Sequence, residues 1–149
     1  MKTIAQKQEE LADELRDLGD SFDQYSYLIT LACQVPDWPE AEKTRDRLVK
    51  GCQSRVWLKA EFPDGRLALS ADSSTMIIKG ILKLLMDLLS GHTAQEVAQT
   101  EITFLQDTEL MDTFETSRQK GIGYILRVIR DKAAAAAEEA GGNALPEQD

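Results

Sequence analysis

The stretch "STMIIKGILKLLMDLLSG", residues 74–91, constrains the fold more than any other part of the chain. Placed on a helix, Ile77, Ile78, Ile81, Leu82, Leu84, Leu85, Leu88 and Leu89 cover more than half the circumference. A helix apolar over so wide an arc has to be the centre of a core. Ser73 or Ser74 can cap its start and Gly91 can end it. Lys79, Lys83 and Asp87 interrupt the run, so it does not read as a bilayer span.

The remaining chain supplies the layers around that helix. Its 149 residues fit one domain with a core that needs neither disulfide nor metal. A first helix is expected from Thr3, with Gln6 completing a capping box, Ile4, Leu11, Leu15 and Leu18 as its apolar positions, and Gly19 at its end. A second starts at Asp20 or Ser21, carries Tyr25, Leu28, Ile29 and Ala32 on one face, and stops at Val35-Pro36. A proline-containing loop over 36–51 leads into "CQSRVWLKAEF", read as a strand with Ser54, Val56, Leu58 and Ala60 on one side and Arg55, Trp57 and Lys59 on the other. Asp64-Gly65 marks a tight turn, and "RLALSA" is the returning strand. Thr93 and Glu96 form a second capping box before a short helix. The last long helix starts near Ser117, with Ile122, Ile125, Leu126 and Ile129 buried. The order predicts an α+β fold, with helices packed on one face of a small antiparallel sheet. The domain is expected over 1–137, followed by a disordered acidic tail over 138–149.

Charge and motif content remove several classes of function. A net charge of −9 argues against nucleic acid as the main partner. The N-terminus lacks the continuous apolar segment of a secretory signal, which points to a cytoplasmic protein without a membrane partner. Cys33, Cys52 and His92 could supply three soft ligands, but no close-spaced pair nucleates a metal site. No Walker A or GxGxxG sequence and no CxxC pair is present. His92, between two helices in "SGHTAQE", reads as a solvated loop residue.

The chemistry then centres on "KGCQSRVWL", residues 50–58. Between Lys43 and Lys59 lie six basic residues and one acid, Asp46, in a chain that is otherwise acidic. Cationic neighbours favour the thiolate, which is the reactive form of cysteine. Gly51 permits backbone conformations closed to other residues, and Gln53 and Ser54 can donate hydrogen bonds to a sulfur anion. Against this, free cysteine is among the most buried residue types. The residues alone leave Cys52 open between a packed small hydrophobe and an activated thiol. Cys33, with no basic neighbour close in sequence, reads as packing. Because no histidine base or second thiol accompanies Cys52, a reactive Cys52 suits receiving and relaying a group. A helical adaptor and a Cys33–Cys52 redox sensor are the competing readings, the latter requiring Cα atoms within about 7 Å.

Three segments, "GCQSRVWL", "ADSSTMIIKGIL" and "TSRQKGIGYILRVIR", resemble in order and spacing the SufE family of sulfur-acceptor proteins, over roughly residues 10–133. That resemblance implies a compact α+β sandwich similar to the IscU-type scaffold. It implies that Cys52 accepts persulfide sulfur from a SufS- or CsdA-type cysteine desulfurase, stimulates that enzyme, and passes the sulfur to a SufBCD-type iron–sulfur scaffold. Such a protein is a sulfur carrier and activator rather than an independent enzyme. It holds no cofactor of its own, since the pyridoxal phosphate belongs to the desulfurase. The resemblance also implies loop or partner-supporting roles for Gly51, Gln53, Ser54, Arg55, Trp57, Asp72 and Arg118, with Asp72 and Arg118 expected near the Cys52 loop. Their competing reading is a helix-terminus role, though a cation in the first turn, as at Arg118, runs against the helix dipole. Two positions depart from the family pattern: Arg47, where many members carry asparagine, and Ser74, where many carry aspartate.

Overall fold

A computed structural model describes residues 2–106 and 108–144. Among these residues six α-helices accompany one two-stranded sheet: α1 Ile4–Asp17, α2 Ser21–Ala32, β1 Val56–Glu61, β2 Ala68–Ser73, α3 Met76–Leu89, α4 Ala94–Gln99, α5 Glu109–Thr113 and α6 Thr116–Ala144. The architecture is the expected α+β packing. None of these helices is long and apolar enough to cross a membrane.

Local chemistry sets the ends of the elements. Thr3 and Gln6 form the full reciprocal capping box of α1, and Asp20 caps α2 by accepting from the Asp23 N–H. Gly19 follows α1 at φ 126°, a conformation L side chains avoid. Asp64 and Gly65, at φ 55° and 80°, make the turn between the strands, closed by the Arg66 N–H donating to the Pro63 carbonyl at 3.1 Å. The strands pair antiparallel, with Trp57 opposite Asp72 and Leu58 opposite Ala71.

α3 occupies the centre. It packs on α2 along one side and on β2 along the other. Gly80 lets α2 and α3 approach closely: a Cβ there would lie 2.1 Å from the Leu28 carbonyl oxygen. Two buried glutamines tie the first two helices to the chain beyond α4, Gln8 to the irregular segment after it and Gln24 to α5. Gln8 donates to the Glu101 carbonyl and accepts from the Thr103 N–H, both at 2.9 Å. Gln24 donates to the Leu15 carbonyl and accepts from the Leu110 N–H, both at 3.1 Å.

Several details differ from the pattern-based reading. β1 begins at Val56, so residues 52–55 belong to the loop rather than the strand. The buried stripe of α2 is Gln24, Leu28, Leu31 and Ala32, which leaves Tyr25 40% exposed. Hydrogen bonding by a glutamine satisfied in the core turned the helix away from the purely apolar face. α3 is preceded by Thr75 rather than capped directly by a serine, although the Ser73 hydroxyl accepts from the Thr75 N–H at 3.2 Å. Cys33 is exposed, at the end of α2 and off its buried stripe, so it does not pack. α6 continues past residue 137 to Ala144, and residues 145–149 of the expected tail lie outside the described residues.

His92 is also placed differently. It is buried, not solvated. Its Nδ1 lies 2.9 Å from a Glu96 carboxylate oxygen and its Nε2 lies 3.3 Å from the Lys7 ammonium. Only half of the expected Thr93–Glu96 box forms, because the Glu96 carboxylate instead accepts from the Ile4 N–H at 2.7 Å. Burial pushes the Glu96 carboxyl upward, but the Ile4 N–H and His92 outweigh it and hold the group below its ordinary range.

Candidate functional site

The loop carrying Cys52 lies between the end of the 36–49 segment and β1, and two elements hold it. On one side is α6. Gly51, at φ 91°, rests against the Tyr124 ring so closely that an added Cβ would lie 2.7 Å from two ring carbons. The Cys52 thiol donates to the Gly121 carbonyl at 3.3 Å, and the Ser117 hydroxyl donates to the Gln53 amide oxygen at 3.3 Å. On the other side is the β2–α3 junction. The Thr75 hydroxyl donates to Ser54 Oγ at 2.7 Å. The Arg55 N–H donates to Ser74 Oγ at 3.2 Å, and the Arg55 carbonyl accepts from the Ser73 hydroxyl at 2.8 Å and the Ser74 N–H at 3.1 Å. The loop is thus pinned by short side chains at both ends, and the sulfur sits between.

Cys52 Sγ faces a hollow of about 40 Å³ lined by Gln53, Ser54, Ile78, Arg118, Gly121 and Ile125 among others. One water requires about 10–15 Å³, so a further sulfur atom fits there. The described lining contains no carboxylate, imidazole or amine, and Arg118 is its one cation. The Arg118 guanidinium also stacks over the Phe114 ring, 5.5 Å from its centroid. A cation in the first turn of a helix runs against the dipole, and here the Phe114 ring gives it a partner beside the hollow.

The thiol itself is not activated at rest. Burial raises its pKa above the ordinary 9.0. Burial is the cause that decides the direction, and three members of the basic cluster around it in sequence are engaged elsewhere. Lys43 pairs with Glu40 and sits 4.9 Å from the Trp57 ring centroid, Arg47 pairs with Glu42, and Lys59 pairs with Glu61. The side chains of Gln53 and Ser54 are likewise tied to Ser117 and Thr75 rather than to the sulfur. A protonated thiol donating to a backbone carbonyl is the arrangement that results.

Asp72 does not line the hollow. It lies on β2, almost fully buried, and accepts from the Trp38 N–H at 2.8 Å. It also pairs with Lys79 at 3.2 Å, and Asp37 pairs with the same ammonium. Burial would depress the Lys79 pKa, but the hydrogen bonds and charges of Asp37 and Asp72 hold it above its ordinary value. Asp72 therefore anchors the 37–39 segment to the sheet and helps bury the one lysine on the inner side of α3. Trp57, opposite it on β1, is 8% exposed; its backbone bridges to Leu48 and the Lys43 ammonium lies over its ring. Of the two departures from the family pattern, Ser74 binds the Arg55 backbone, and Arg47 lies over the Trp38 ring, 5.9 Å from its centroid.

The residues that the sequence reading did not single out are Ser117, Gly121 and Tyr124. Their signal was available: two glycines, Gly121 and Gly123, interrupt the apolar period of an otherwise helical segment, and an isolated helix glycine has a packing or functional reason.

The family model described as "SufE: Fe-S metabolism associated domain" matches residues 9–133. An uncharacterized SufE-like protein of Rhizobium meliloti (strain 1021) is 25% identical over 130 residues, covering 84% of this chain and 93% of the relative. The solution structure of a hypothetical protein from Thermus thermophilus superposes with a TM-score of 0.72 at 19% identity, covering 89% of this chain and 96% of that one. At that identity the structural match speaks for the fold alone.

Proposed function

The chain belongs to the SufE family, a family of Fe–S metabolism, and on that premise we propose that Cys52 is a sulfur acceptor and relay. It takes the terminal sulfur of a persulfide held by a SufS- or CsdA-type cysteine desulfurase and passes it to an iron–sulfur scaffold of the SufBCD type. The observation that carries this reading is the thiol set against a hollow with room for one more sulfur and no base in its lining. A hydrolytic cysteine would need an imidazole to take its proton; a carrier needs only a thiol and a place to shelter the cargo.

The transfer is thiolate attack on a sulfur–sulfur bond. Released from its shelter, Cys52 gives its proton to solvent water and attacks the terminal sulfur of the partner's persulfide as a thiolate. A new S–S bond forms at Cys52, the partner's S–S bond breaks, and the partner's cysteine leaves as a thiolate. Removing that persulfide frees the desulfurase for its next turnover, which accounts for stimulation. Pyridoxal phosphate stays with the desulfurase.

The resting geometry defines what docking must change. The Gly121 carbonyl accepts a hydrogen bond from the thiol but repels a thiolate. Attack therefore requires Cys52 to leave that carbonyl, and the loop 50–55 is the part that moves. Once loaded, the terminal sulfur returns to the hollow, where Arg118 supplies a counter-charge to a persulfide anion. Gly51, Gln53, Ser54 and Arg55 are hinge and fastening, and Trp57 anchors the strand that follows.

The test is incubation with a SufS-type desulfurase, pyridoxal phosphate and cysteine, read by intact-protein mass spectrometry. Wild type is expected to gain one sulfur atom and Cys52→Ser none. Labelling that survives in Cys52→Ser, or never occurs in wild type, overturns the proposal.

A further inference from the structure

We propose that Tyr124 is the positioning residue that latches the Cys52 loop in its sheltered state, with Gly51 as the matched surface it closes on. The proposal rests on the reading of Cys52 as the acceptor and adds the residue that sets how often the thiol is released.

Three observations carry it. First, the fit is complementary: Gly51 has no side chain, its φ of 91° is one that L residues rarely adopt, and the Tyr124 ring occupies the space a Cβ would need. Second, Tyr124 stands one helical turn beyond Gly121, whose carbonyl holds the thiol. Successive turns of α6 therefore grip successive loop residues, the ring on Gly51 and the carbonyl on Cys52. Third, Tyr124 is 40% exposed and lies outside the buried stripe of Ile122, Ile125 and Ile129. Its contact with the loop is made at the surface, where it can open without disturbing the core. The hydrogen bonds at Gln53, Ser54 and Arg55 fasten the loop on the far side of Cys52; on the Gly51 side the ring supplies the contact area that keeps the sulfur in place.

The experiment measures alkylation of Cys52 by iodoacetamide, followed by mass spectrometry with Cys33→Ser present throughout. Tyr124→Ala is expected to react about tenfold faster, because the population of the open loop rises as its closing contact is removed. Tyr124→Phe keeps the ring and is expected to react at the starting rate. Gly51→Ala should also accelerate reaction, through collision with the ring and through the strain of an L residue at φ 91°. In the Tyr124→Ala background only the backbone strain remains, so the combined effect should fall short of the product of the two single effects. If Tyr124→Ala does not fold, as judged by circular dichroism and a thermal melt, Tyr124→Leu takes its place with the same expected acceleration. A starting-rate reaction in the folded Ala or Leu variant overturns the latch, as does a Phe variant that reacts as fast as Ala, or effects at 51 and 124 that simply multiply. No desulfurase takes part, so these results stand apart from whether Cys52 loads sulfur at all.

Discussion

The Cys52 thiol reaches the Gly121 carbonyl across 3.3 Å, joining a loop to the interior of a helix 69 positions further along the chain. The carbonyl of a helix residue has a second lone pair to offer, and the sulfur takes it at Gly121. The same contact shelters the thiol and keeps it protonated, and the behaviour of the site follows from that combination.

Alkylation of Cys52 as a function of pH is expected to follow an apparent pKa above the ordinary 9.0, since burial raises it and no neighbour offsets that. The sign for stability follows. A raised folded-state pKa contributes stability that is fully present below the unfolded value and lost as pH rises through the folded one. Wild type should therefore lose stability above about pH 9 in denaturant titrations, and Cys52→Ser should remove that component of the slope.

Gly121→Ala separates stability from function. An added Cβ would sit 3.5 Å from Cys52 Sγ, an ordinary contact, so the resting thiol is tolerated. The helix gains about 0.5–1 kcal/mol from the lost glycine. The methyl group, however, takes space beside the sulfur in a hollow of about 40 Å³. The expected outcome is an unchanged or raised melting temperature together with faster loss of the carried sulfur to dithiothreitol.

Asp72→Asn tests whether Asp72 acts through the fold or at the site. It removes a charge from a buried pair with Lys79. The expected destabilisation is about 3 kcal/mol, at the lower end for a broken buried pair, because Asp37 still faces the ammonium. Under native conditions the alkylation rate of Cys52 should stay within twofold or so of wild type, since Asp72 does not line the hollow. A large change in that rate with little loss of stability would place Asp72 at the site instead.

Gly80→Ala should be among the most damaging small substitutions. Its Cβ would lie 2.1 Å from the Leu28 carbonyl oxygen and 2.8 Å from the carbonyl carbon, so backbone must move. Overpacking of this kind costs about 3 kcal/mol, readable as a lowered urea midpoint with an unchanged slope.

Much of this was legible in the sequence. The breadth of the apolar arc identified α3 as the central helix, and Thr3, Gln6, Asp20, Gly19 and Asp64-Gly65 marked element ends because caps and turns are made by residues adjacent in the chain. The Cys52 motif and its two companions pointed to the family. Arg118 was expected beside the loop and lines the hollow.

What the chain could not reveal by itself is which groups meet across long separations. Six basic residues near Cys52 looked like a field that would ionise the thiol, yet Glu40, Glu42 and Glu61 take three of them and burial sets the outcome. Asp72 was expected near the Cys52 loop, and the partners it meets are Lys79 and the Trp38 N–H, 7 and 34 positions away in the chain. His92 looked solvated because its sequence neighbours are polar, and it is buried because Lys7 and Glu96 satisfy its ring. Local sequence determined where elements start, stop and turn, since those energies arise between near neighbours. Only the tertiary structure decided the state of each titratable group, because desolvation and pairing depend on what the fold brings within a few ångströms.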